Sequence, residues 1–90
     1  MSEVIDALTL AVIKTLTREG FKGAYYAMVG DAIRGVLGNK RTVTSGDIET
    51  LSRAIAQAVA SKESSARISE EKLREIIREE LQKSLRSQGL

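Results

Sequence analysis

The chain has 90 residues, 42% of them hydrophobic, and carries 14 Lys and Arg against 12 Asp and Glu for a formal charge of +2. That length suits one small domain over residues 1–90 and is too short for two. There is no cysteine and no histidine, which excludes a disulfide framework, thiol chemistry and the commonest general base and zinc ligand.

The charge is evenly spread. Residues 1–60 hold seven basic and six acidic side chains, and residues 61–90 repeat those counts. No polycationic tail is present to coat nucleic acid without regard to sequence. No apolar run reaches membrane-spanning length, and the start does not read as a signal peptide. A cytoplasmic protein without membrane contact is therefore expected. The few amides (Asn39, Gln57, Gln82 and Gln88) and the many ion-pairing residues give a thermophile-like composition.

With no proline in the chain, glycines and polar clusters divide it into four segments, all with helical periodicity. The first runs from about Ser2, a candidate N-cap, to Glu19. Val4, Ile5, Ala7, Leu8, Leu10, Ala11, Val12, Ile13 and Leu16 cover most of its circumference. A helix apolar nearly all round is a buried one, so this segment is expected at the centre, with a second subunit helping to cover it. Gly20 then offers a left-handed C-terminal cap.

The second segment, about Phe21 to Leu37, repeats Phe21, Tyr25, Met28, Val29, Ala32, Ile33, Val36 and Leu37 at three- and four-residue steps. Gly23, Gly30 and Gly35 inside it each cost about 1 kcal/mol against alanine. They predict a close helix approach or a kink. Lys40 to Val43 form an extended linker. Thr44 opens the third helix, with Asp47 three residues on as a capping box with the shorter acid. Ile48, Leu51, Ile55 and Val59 make its stripe, and alanines fill much of the rest.

Residues 61–66 read as a polar joint between the apolar helical core of residues 1–60 and a charged C-terminal helix over residues 67–86. Ser69 is the expected N-cap, with Ile68 stapled to Leu73. Leu73, Ile76, Ile77, Leu81 and Leu85 form an amphipathic stripe. Glu70–Arg74 and Glu79–Lys83 stand four apart in the favourable order. The joint would let this helix move and dock elsewhere. The expected fold class is therefore all-α: a compact bundle of four short helices, the first central and the fourth amphipathic and mobile.

No constellation for catalysis stands out. The carboxylates of the C-terminal helix are answered by arginines on the same charged face, which reads as a solvated surface. No glycine-rich phosphate loop follows a strand. No enzyme, cofactor, metal or small-molecule substrate is expected.

Two binding classes remain. The first is a protein surface. The candidates are Leu8, Val12 and Tyr26, with Leu73, Ile77 and Leu81 of the C-terminal helix, in a chain that self-assembles or docks on a larger complex. The second is nucleic acid. Lys22 and Arg34 lie opposite the core stripe of the second segment, Lys40 and Arg41 follow in the linker, and Ser45 and Gly46 present the free amides of a helix N-terminus, together a candidate phosphate site.

The stretch DAIRGVLGNKRTVTSGDIETLSRAI resembles the end of the central helix, the second loop and the third helix of histones. The similarity centres on Lys40-Arg41-Thr42-Val43-Thr44 followed by Asp47-Ile48, and covers roughly a quarter of the chain. It implies that Arg41 and Thr42 approach a DNA backbone. The chain departs from that family upstream. Gly20 and Gly23 cut the central helix short, and the preceding segment is too long and too apolar for the first histone helix. A helix-turn-helix over residues 31–60 is opposed by Thr44-Ser45-Gly46 in the turn and by alanines where base-reading side chains belong. A non-enzymatic interaction subunit is the leading expectation, with DNA binding as the alternative.

Overall fold

The computed structural model describes residues 2–21, 25–40, 42–62 and 69–87. Four helices follow one another: α1 (Ser2–Arg18), α2 (Tyr26–Leu37), α3 (Ser45–Lys62) and α4 (Glu70–Ser87). The all-α, four-helix class is as the periodicity predicts.

Local chemistry sets most of the boundaries. Gly20 takes φ 93°, a conformation open to glycine at little cost. It lets the Phe21 amide donate to the Leu16 carbonyl at 2.9 Å and the Gly20 amide to Thr17 at 3.0 Å. That pair of bonds is the Schellman closure of a helix C-terminus. At α3 the capping box forms as the sequence predicts. The Asp47 amide donates to Thr44 Oγ1 at 3.2 Å, and the Thr44 amide donates to Asp47 Oδ2 at 3.0 Å. At α4 the Lys72 amide donates to Ser69 Oγ at 3.1 Å, so Ser69 is the N-cap. Its expected staple, Ile68, lies outside the described residues. So does the Ser2 side chain, and α1 already includes Ser2.

Two boundaries differ from expectation. α2 begins at Tyr26, not Phe21, and no side chain caps it. Phe21 and Tyr25 still join the core from the connection. α3 continues through Ser61 and Lys62, into what the sequence presents as the polar joint; residues 63–68 lie outside the described set.

The helices close a ring. α1 packs on α2 and α4, and α3 packs on α2 and α4, while the diagonal pairs α1–α3 and α2–α4 make no close backbone approach. Each helix contributes one stripe to a shared interior. Ile5, Leu8, Val12 and Leu16 come from α1; Val29, Ile33 and Leu37 from α2. Ile48, Leu51, Ile55, Ala56 and Val59 come from α3, and Leu73, Ile77, Leu81 and Leu85 from α4.

This arrangement corrects the central place expected for α1. It has two neighbours, like every other helix. It also has an outward face, with Glu3, Asp6, Leu10, Lys14 and Thr17 all exposed. Composition alone hides that face because Ala7, Ala11 and Ile13 flank it half-buried and Thr9 and Thr15 are buried inside. The buried hydroxyls are accommodated locally: Thr9 Oγ1 donates to the Ile5 carbonyl and Ser52 Oγ to the Ile48 carbonyl, both at 2.7 Å. Among the described residues no buried side-chain polar atom lacks a partner.

The four residues α1 gives to the core are covered within the chain, at most 5% exposed. The accessible surface is 5464 Å² for 9.8 kDa, close to the roughly 5,200 Å² of a self-contained monomer of that mass. The radius of gyration is 12.0 Å, about that of a compact 90-residue domain. α4 is docked in this fold, with Leu73, Ile77, Leu81 and Leu85 of its stripe at most 4% exposed and Ile76 half-buried at the edge.

Candidate interaction surface

The expected phosphate site is built around the α2–α3 connection, and its geometry is specific. Lys40 Nζ donates to Asp47 Oδ1 at 2.6 Å. The other carboxylate oxygen of Asp47 accepts the Thr44 amide. One side chain therefore caps α3 and neutralises the linker lysine. The Lys40 ammonium, with the Thr44 backbone bond behind it, holds the Asp47 carboxyl below its ordinary value of 3.8. A carboxylate therefore stands at the positive end of the α3 dipole, bonded to the Thr44 amide and to Lys40 and not to the Ser45 or Gly46 amides.

The other members are dispersed. Arg34 Nη1 donates to Asp31 Oδ1 at 3.1 Å across an exposed turn of α2. Thr42, Ser45 and Gly46 are exposed. Lys22 and Arg41 lie outside the described residues. Of the cations expected to converge on phosphate, the two that are described each hold a carboxylate of their own. The signal for this was in the sequence: Asp31 stands three residues before Arg34, and Asp47 in a capping box faces back toward the linker.

The expected protein surface is rearranged. Leu8, Val12, Leu73, Ile77 and Leu81 are each 0–1% exposed. They form the chain's own interior and are closed to a partner while the bundle is intact. The reason is the ring topology, which turns the α1 and α4 stripes toward α2 and α3. Tyr26 is the one member that stays outside, at 49% exposure. Leu10, which the sequence presents as one more core residue of α1, is 50% exposed. Leu10 and Tyr26 are the large hydrophobic side chains left open to solvent among the described residues.

A cleft of about 300 Å³ lies between the end of α1 and α4, lined by Thr15, Arg18, Glu19, Ile76, Glu79, Glu80 and Lys83. Its walls carry two cations and three carboxylates, and Arg18 Nη2 is engaged with Thr15 Oγ1 at 3.3 Å. Among the described residues no three carboxylates converge to hold a metal ion, and no helix is long and apolar enough to cross a membrane.

Searches with this chain match no family model, no curated protein and no solved structure.

Proposed function

We propose that the chain is a non-enzymatic helical subunit that works by protein contact, self-assembling or docking on a larger complex through the outer faces of α1 and α2. The observation that carries this reading is the exposure of Leu10 and Tyr26. The fold buries the stripe residues of all four helices yet leaves these two half open. Surface aromatic and aliphatic side chains of this kind anchor protein contacts when a partner desolvates them. Leu10 stands between two charged residues that would form the rim of such a contact, Asp6 and Lys14, one helical turn away on either side.

The alternative, a DNA-binding protein contacting phosphates through Lys22, Arg34, Lys40, Arg41, Thr42 and the α3 N-terminus, is less supported. Lys40 and Arg34 are each already paired with a carboxylate, Asp47 and Asp31, which offsets the positive charge they would offer a phosphate. The test of the leading reading is the Leu10→Lys, Tyr26→Lys double variant beside wild type. Both are measured for mass against concentration and for crosslinked partners in an extract of the source cells. Loss of self-association or of a crosslinked species in the variant supports the proposal. Identical mass and identical crosslinks in the two proteins contradict it.

A further inference from the structure

The outer face of α1 has an internal symmetry. Glu3, Asp6, Leu10, Lys14 and Thr17 are exposed, and at 3.6 residues per turn they fall within an arc of about 80°. Leu10 is at the centre. Asp6 and Lys14 stand four residues away on either side of it, and Glu3 and Thr17 seven residues away. The half-buried Ala7 and Ile13 flank the stripe three residues from Leu10, one on each side. The acids occupy the N-terminal half of the stripe and the base the C-terminal half.

We infer that this face is the contact for a second copy of the same chain, the two α1 helices lying antiparallel with Leu10 on the two-fold axis. A two-fold contact requires a surface complementary to itself. Here rotation about Leu10 brings each Asp6 opposite the partner copy's lysine at position 14. Both charges stand about 6 Å along the helix from the axis, at 1.5 Å per residue. Leu10 meets its own copy in the middle, and the small Ala7 beside it lets the helices approach. Glu3 falls opposite the threonine at position 17, so no like charges face one another along the stripe. A parallel pairing would set acid against acid and base against base. The inference rests on the proposed protein-contact role and names its partner.

The same charge order also suits the dipole of an isolated helix, which favours acids at its start and bases at its end. The test must separate the two. Asp6→Lys and Lys14→Asp are made singly and together, at exposed positions where circular dichroism confirms the fold. Sedimentation velocity then gives the dimer dissociation constant at low salt from micromolar to millimolar protein. Each single variant sets like charges opposite at both symmetry-related places, so its dissociation constant should rise by about tenfold or more. An equimolar mixture of the two single variants should associate as wild type does, because every facing pair is then opposite in sign. The double variant should also recover, although its α1 dipole is opposed.

Failure of the mixture to associate overturns the antiparallel pairing, as do single variants that dimerise like wild type. A wild-type dimer indifferent to these charges leaves the contact role standing and removes this face. A monomeric wild type that loses a crosslinked partner on Leu10→Lys removes the second copy and keeps the role. A monomeric wild type whose crosslinks are indifferent to Leu10→Lys with Tyr26→Lys removes both.

Discussion

Lys40 and Asp47 meet across the α2–α3 connection with Nζ 2.6 Å from Oδ1, while the same carboxylate caps α3 by accepting the Thr44 amide. The contact fixes the path of the linker into the helix. It also determines how stability should respond to acid. The folded-state value of Asp47 is lowered, first by the Lys40 hydrogen bond and then by the Thr44 backbone bond. A lowered value contributes stability that is complete above the ordinary value of 3.8 and is lost as pH falls through the folded value. Asp47→Asn should therefore lower the melting temperature at neutral pH, with the gap to wild type closing as pH falls below about 4. Melting curves across that range check it, and a gap independent of pH would contradict the ionic role. Thr44→Ala, which removes the reciprocal half of the cap, should cost about 1 kcal/mol.

The glycines of α2 should separate by sign. A methyl group at Gly35 would meet nothing within 4 Å, and one at Gly30 would sit 3.6–3.7 Å from Arg34 and Thr9, in ordinary contact. At Gly38 it would stand 2.5 Å from the Arg34 carbonyl oxygen, which is backbone and cannot swing away. Gly35→Ala should raise stability by about 0.5–1 kcal/mol, a few degrees in melting temperature for a domain of this size. Gly38→Ala should lower it. Chemical denaturation of the two variants settles the order.

Leu8 sits at 0% exposure in the core, so changing it tests packing and not association. Leu8→Ala should cost about 2–5 kcal/mol, and Val12→Asp should abolish cooperative unfolding by burying an unpaired charge. A folded, merely dissociated Val12→Asp protein would show that Val12 is not in the core as described.

The i, i+4 pairs expected on α4 do not close among the described residues. Arg78 reaches across to α3 instead, with Nη1 3.1 Å from Glu49 Oε1. Both side chains are partly exposed, at 35% and 46%, so water and salt weaken the attraction. A double-mutant cycle with Arg78→Ala and Glu49→Ala should give a coupling of about 0.2–1 kcal/mol that shrinks at high salt.

Much of this was legible in the sequence because local chemistry decides it. Gly20, the Thr44–Asp47 box, the Ser69 cap and the stripes of α3 and α4 all lie where the residue order puts them. What the sequence reading misplaces is the outward face of α1. The clue was present, since Glu3, Asp6, Lys14 and Thr17 share one arc of α1, but Leu10 lies in the middle of that arc and, counted as core, conceals it. The candidate sites inherit that ambiguity. A stripe strong enough to be recognised on α4 is one the bundle consumes, and a lysine close enough to a helix N-terminus to bind phosphate is also close enough to bind Asp47.

The most direct measurement is the mass of the purified chain by light scattering across concentration, for wild type and for Leu10→Lys with Tyr26→Lys. Melting curves are recorded on the same samples. Self-association through the outer faces of α1 and α2 predicts wild type heavier than one chain, with the variant equally folded and reduced to a single chain. A wild type and variant of identical mass at every concentration, both folded, would contradict self-association through these faces.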